Sequence, residues 1–137
     1  MSAPLALVTG ASGFVGSHIV DELLRRGARV RCLLRKSSSR RWLEGKAVTY
    51  VTGDVRETAG LDDAVRGVDW IVHAAGLTHA RRPAEFHNAN VHGTEHILAA
   101  ALRARATIRR FVYISSQAVA GPSRDRRPSR RRTARRN

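Results

Sequence analysis

The segment Thr9-Gly10-Ala11-Ser12-Gly13-Phe14-Val15-Gly16 constrains this chain more than any other. It follows the apolar run Leu5-Ala6-Leu7-Val8 and leads into an amphipathic run from Phe14 to Arg26. That order predicts a strand, a glycine-rich turn and a helix. The three glycines stand at spacing G-x-x-G-x-x-G. Gly10 can take the tight turn out of the strand. Gly13 leaves the backbone bare for a pyrophosphate, and Gly16 lets the helix pack close to the sheet. Phosphates would sit at the helix N-terminus, where free N–H groups and the positive end of the dipole meet them. Gly10, Ser12, Gly13, Phe14, Val15 and Gly16 are therefore candidate cofactor-binding residues. An ordinary glycine-rich turn is the alternative, and the strand-turn-helix context weighs against it. A P-loop ATPase is excluded, because no Gly-Lys-Ser/Thr follows the turn.

Strand and helix signals alternate beyond this point. Arg29–Leu34 and Ala47–Thr52 read as strands, with a loop and short helix over Ser37–Glu44 between them. Leu61–Arg66 reads as a short helix, Trp70–Ala75 as a fourth strand, Ala84–Arg105 as a long helix and Phe111–Ser115 as a fifth strand. Ile97, Leu98, Ala101 and Leu102 form the apolar stripe of the long helix. Alternation of this kind predicts an α/β fold with a parallel sheet. With the glycine signature included, the expected architecture is a doubly wound Rossmann sheet of strand order 3-2-1-4-5.

With 137 residues the chain is long enough for one domain with a real core. The lone cysteine, Cys32, excludes an internal disulfide and fits a reducing cytoplasm. Its place in an apolar strand reads as a small buried hydrophobe. No run of 18 apolar residues is present, so no membrane span is expected, and Met1-Ser2-Ala3-Pro4 lacks the basic region of a signal peptide. His18 and His73 have no carboxylate or cysteine partners at metal spacing and read as structural, so no metal is expected.

The net charge of +14 is split unevenly. Half of it falls in residues 121–137, which hold eight arginines and one acid, Asp125. Apolar periodicity stops at Gly121. The expectation is therefore a folded unit over residues 1–121 and a disordered arginine-rich tail over 122–137. Such a tail could neutralise phosphates of a nucleic acid. No aromatic residue interleaves the arginines for base stacking, so that role ranks below the others.

Five motifs together resemble the N-terminal half of an extended short-chain dehydrogenase/reductase, the NAD-dependent epimerase/dehydratase family, with a likeness to its dihydroflavonol-reductase-like branch. They are Thr9-Gly10-x-x-Gly13-x-x-Gly16, Gly53-Asp54-Val55, His73-Ala74-Ala75-Gly76, Asn90-Val91-x-Gly93-Thr94 and Tyr113-Ile114-Ser115-Ser116. The resemblance covers residues 5–121. It implies that Asp54 and the Val55 backbone contact an adenine amino edge. It implies that the small residues Ala74, Ala75 and Gly76 admit the nicotinamide ribose, and that Asn90 flanks the site. Ser116, with Ser115 beside it, matches the family serine that hydrogen-bonds the reacting oxygen of the substrate. From the residues alone, Asp54 could equally cap a turn, Asn90 could be solvated, and Ser116 could be a turn residue.

Cofactor choice has one clue. An acid about 20 residues after the glycines would bind a ribose 2′-OH. The second strand instead runs into Arg35 and Lys36. These would attract a 2′-phosphate, which favours NADP with NAD possible, although a solvated basic turn is the alternative.

Catalysis in the family needs a Tyr-x-x-x-Lys pair on a helix. Asp54 stands four residues after Tyr50, and Gln117 stands four after Tyr113. The only lysines are Lys36 and Lys46. The expectation is a truncated, inactive dinucleotide-binding unit of an enzyme acting on a sugar nucleotide or a small carbonyl or hydroxyl substrate. The arginine-rich composition after Gly121 suggests a shifted reading frame. A sheet that stops at its fifth strand also predicts self-association through an uncovered edge. The alternatives are a catalytically silent dinucleotide binder or, behind it, a basic nucleic-acid-binding protein.

Overall fold

The computed structural model describes residues 2–121. Five strands, β1 (Leu5–Thr9), β2 (Arg29–Leu34), β3 (Val48–Thr52), β4 (Trp70–His73) and β5 (Arg110–Tyr113), form one sheet. Its order is β3-β2-β1-β4-β5, and every pairing is parallel. The doubly wound order expected from the glycine signature is thus the observed one. The expected tail over 122–137 lies outside the described residues.

β1 is central and buried throughout. Its side chains serve two cores, as befits a strand covered on both faces. Leu5 and Leu7 pack with Leu33, Ile71, and helices α2 (Leu61–Val65) and α4 (Gly93–Arg103), through Leu61, Val65, Ile97 and Ala100. Val8 faces the other way, toward Val30, Cys32, Leu34, Val72 and Val20 of helix α1 (Phe14–Arg25). Cys32 is fully buried, and burial pushes its thiol up to about 11. It is the inert hydrophobe that its strand position predicts. Asp69 gathers the starts of three strands: its carboxylate accepts from the Leu5 N–H at 2.8 Å, and its carbonyl accepts from the Arg109 N–H at 2.7 Å.

Three expectations change. Residues 37–44 form turns and no helix. The long helix is divided: α3 (Pro83–Phe86) runs into a π-helical segment, His87–His92, before α4 begins. The apolar stripe of α4 is narrower than expected, because Ile97, Ala100 and Ala101 are buried whereas Leu98 and Leu102 are exposed. Helical spacing identifies a face but not its width, which the neighbouring α2 sets here.

Candidate functional site

The chain runs outward from β1 to β2 and β3, then returns to place β4 on the other side of β1. The carboxyl ends of β1 and β4 therefore flank the point where the strand order reverses, the place where open α/β sheets hold ligands. A cleft of about 260 Å3 opens there. It is lined by the β1–α1 turn (Thr9, Gly10, Ser12, Gly13), the end of β2 (Leu33, Arg35, Ser38), the segment after β3 (Gly53 to Arg56), and the segment after β4 (Ala74 to Leu77), with Ala89.

The three glycines have distinct reasons. Gly10 has φ +69, and a Cβ there would stand 2.6 Å from the Ala75 amide nitrogen. A Cβ on Gly16 would collide with the Gly10 carbonyl. Both are demanded by the fold. Among the described residues a Cβ on Gly13 would meet only the Gly10 carbonyl oxygen, at an ordinary 3.4 Å. Packing among the described residues does not require that glycine. Gly13 is also the N-cap of α1 and provides no side-chain acceptor. The first-turn N–H groups of the helix lack the usual capping oxygen, as a phosphate cradle requires.

Arg35 reaches the cleft from the end of β2, where its turn is closed by Ser38: the Arg35 N–H donates to Ser38 Oγ at 3.1 Å. Among the described residues Arg35 has no ion-pair partner. Asp54 does not present a free carboxylate. Arg56 donates to it through Nε at 3.0 Å and Nη2 at 2.6 Å, and its backbone N–H adds a third bond at 2.9 Å. The guanidinium of Arg56 holds the Asp54 carboxyl below its ordinary range. Val55 lines the cleft and packs into the core, and its carbonyl accepts from His96 Nδ1 at 2.7 Å.

Several expected residues stand away from the lining. Phe14 and Val15 are on the exposed start of α1, at 74% and 51% exposure, and do not line the cleft. The exposed Lys36 lies beyond Arg35 in the turn. Asn90 does not line the cleft but grips the backbone of Leu77: Oδ1 accepts from its N–H at 2.7 Å, and Nδ2 donates to its carbonyl at 3.0 Å. It shapes the cleft wall without lining the cleft. Ser115 and Ser116 follow β5 at the surface, and Ser116 Oγ accepts from the Ala118 N–H at 3.2 Å, capping a short 3-10 turn.

Among the lining and supporting residues that the sequence candidates omit are Arg56, Ser38 and Thr94. Arg56 has a local signal, since an arginine two residues after an aspartate can close an Asx-type turn. Ser38 does not. Thr94 carries a helical signal: four residues after Asn90, its hydroxyl reaches back to the Asn90 carbonyl at 2.7 Å. Among the described residues no group of three or more His, Cys, Asp or Glu side chains could hold a metal, and no helix is long and apolar enough to cross a membrane.

The model of the NAD dependent epimerase/dehydratase family matches residues 6–136. The chain belongs to that family. Among relatives of this epimerase/dehydratase chain, a Stigmatella aurantiaca 4-hydroxy-2-methyl-3-oxo-4-farnesyl-3,4-dihydroquinoline-1-oxide ketoreductase is 41% identical over 113 residues. That alignment covers 82% of this chain and 33% of the ketoreductase. A Klebsiella pneumoniae UDP-glucose 4-epimerase is 35% identical over 128 residues, covering 84% of this chain and 91% of that protein. Among solved structures, a short-chain dehydrogenase/reductase superfamily protein from Agrobacterium tumefaciens with bound NAD superimposes at TM-score 0.68 with 34% identity, covering 85% of this chain and 34% of that one. The epimerase/dehydratase chain thus spans about a third of the length of the ketoreductase, 33%. The cleft described above lies at the reversal of strand order, a position where open α/β sheets hold ligands.

Proposed function

We propose that this chain binds an NAD(P) cofactor across the β1–β4 crevice, with NADP preferred over NAD. The open position at Gly13 carries the reading, because nothing among the described residues explains a glycine there. The residues suit the group. Gly10 and Gly13 leave the backbone bare, the uncapped start of α1 can receive the pyrophosphate, and Ala74 to Gly76 leave room at the far wall. Arg35 lines the cleft at the end of β2 without an ion-pair partner among the described residues, which supports the NADP preference. Bound there, a nicotinamide cofactor would supply hydride transfer.

The family implies a reductase, epimerase or dehydratase acting on a sugar nucleotide or a small carbonyl or hydroxyl substrate. Ser116 would orient the reacting oxygen but is a weak proton donor. The 137 residues contain no Tyr-x-x-x-Lys pair to move the proton. We therefore expect these residues to bind cofactor without turning over. That absence also favours, as the second reading, a non-catalytic dinucleotide-binding module. Cytoplasmic residence rests on the single buried thiol and the family chemistry.

Calorimetric titration of the chain with NADPH and NADH tests both parts. Binding of NADPH more tightly than NADH, with no substrate-dependent oxidation, is the expected result. Failure to bind either cofactor sinks the reading. Oxidation that vanishes in Ser116→Ala sinks the inactivity alone.

A further inference from the structure

His73 ends β4 with no solvent-accessible surface and sits between two threonines from different elements. Its Nδ1 lies 2.6 Å from Thr9 Oγ1 and its Nε2 lies 2.9 Å from Thr94 Oγ1. The hydrogen bookkeeping has one solution. Thr94 has a single hydroxyl proton and donates it to the Asn90 carbonyl at 2.7 Å. The proton between Thr94 and His73 must therefore come from Nε2. A neutral ring then bears a lone pair on Nδ1, so the Thr9 hydroxyl donates to it. Thr9 Oγ1 in turn accepts from the Ala75 N–H at 3.1 Å. The result is one unidirectional chain, from Ala75 N–H through Thr9, His73 and Thr94 to the Asn90 carbonyl. Each bond in such a chain polarises the next.

Both ends of the chain bear on the same wall of the cleft. Ala75 lines the cleft directly. Asn90 grips Leu77, another lining residue, through both polar atoms of its side chain. The π-helical stretch His87–His92 contains Asn90, and such widened turns recur at functional sites. We propose that His73 is a positioning residue for the cofactor cleft, which, as the Nε2–H tautomer between Thr9 and Thr94, locks the Ala74–Leu77 wall to the π-turn. The proposal rests on the reading of the cleft as a dinucleotide site.

The surroundings of His73 agree with a neutral ring. β1 contributes Thr9 and α4 contributes Thr94. β5 contributes Phe111 at 6.3 Å and Tyr113 at 5.8 Å between ring centroids, and Tyr113 is the only titratable group among these neighbours. No carboxylate faces the imidazole among them, and burial alone holds its pKa down, at about 4. A second ring proton would set an N–H against the Thr9 hydroxyl and reverse the chain at that point.

The test uses the 137-residue chain. Long-range proton–nitrogen spectra with labelled histidine read the tautomer of His73 directly, without any substitution. An Nε2–H ring at pH 7 is expected, and an Nδ1–H ring or a mixture overturns the proposal. Hydrogen exchange of the Ala75 and Leu77 amides, with NADPH titration, is then compared in Thr94→Val and Thr94→Ser. Thr94→Val should speed exchange at both amides and weaken NADPH binding at least tenfold, while the Leu7 and Ile71 amides keep their protection. Thr94→Ser should restore exchange and affinity. Unchanged wall amides in Thr94→Val, or faster exchange spread evenly over β1 and β4, overturns the proposal. If the unaltered chain binds neither NADPH nor NADH, the cofactor reading fails, and the exchange pattern still decides whether the relay holds the wall.

Discussion

Gly10 lies so near Ala75 that a Cβ on the glycine would stand 2.6 Å from the Ala75 amide nitrogen. The two strand ends that frame the crevice touch backbone to backbone, and only a residue without a side chain allows it. Gly10→Ala is therefore expected to destabilise the fold, by on the order of 1–3 kcal/mol from its left-handed backbone alone, with the overlap added. Gly13→Ala should leave thermal stability nearly unchanged, since its Cβ finds space at 3.4 Å, yet lose most cofactor affinity. Paired melting curves and NADPH titrations check the contrast. A Gly13→Ala protein that binds normally would remove the case for a phosphate against that backbone.

The two arginines at the cleft should behave differently. Arg35 is without an ion partner among the described residues, whereas the fork of Arg56 is committed to Asp54. Arg35→Asp should weaken NADPH by roughly tenfold to a hundredfold, the worth of a charged hydrogen-bonded contact, and spare NADH. Arg56→Gln should weaken both cofactors alike and raise the pH at which Asp54 titrates, because its lowered pKa derives chiefly from Arg56. Calorimetry with each cofactor, and carbon NMR of the carboxyl group, read these outcomes. A selective loss of NADPH in Arg56→Gln would move the 2′-phosphate contact to that residue.

Stability should fall as acid reaches His73. Burial lowers the folded pKa from 6.5 to about 4, so the unfolded chain binds the proton more readily. The stabilising contribution of the neutral ring is full above pH 6.5 and is lost as pH falls toward 4. The pKa difference corresponds to about 3 kcal/mol. Chemical denaturation at several pH values should show this slope. A His73→Asn protein, which cannot titrate there, should show less of it.

Self-association is expected through two separate surfaces. Among the described residues β5 is an edge strand whose Val112 and Tyr113 are 45% and 53% exposed, and α4 leaves Leu102 64% exposed. An open edge with apolar side chains invites pairing with a second chain. Sedimentation should detect oligomers, and Val112→Lys should shift them toward monomer more than Leu102→Glu if the edge dominates. A clean monomer in the unaltered chain would withdraw the expectation.

The sheet order, the glycine turn and the burial of Cys32 were all legible in the sequence. These follow from local chemistry. Apolar runs that alternate with amphipathic ones admit few windings, and the glycine spacing marks the first strand-to-helix turn. Arg35, Asp54 and Ala74 to Gly76, candidates from the sequence, all line the cleft. Tertiary structure alone decided what their side chains do there. Asp54 is held by Arg56, Asn90 holds Leu77, and Ser116 caps its own turn. Nor could spacing reveal the chain from Ala75 to Asn90. Thr9 and His73 are 64 residues apart, and they meet only because β1 and β4 pair in parallel register. Periodicity reports which face a residue occupies. Hydrogen-bond partners depend on which elements that face meets, and long-range packing sets this.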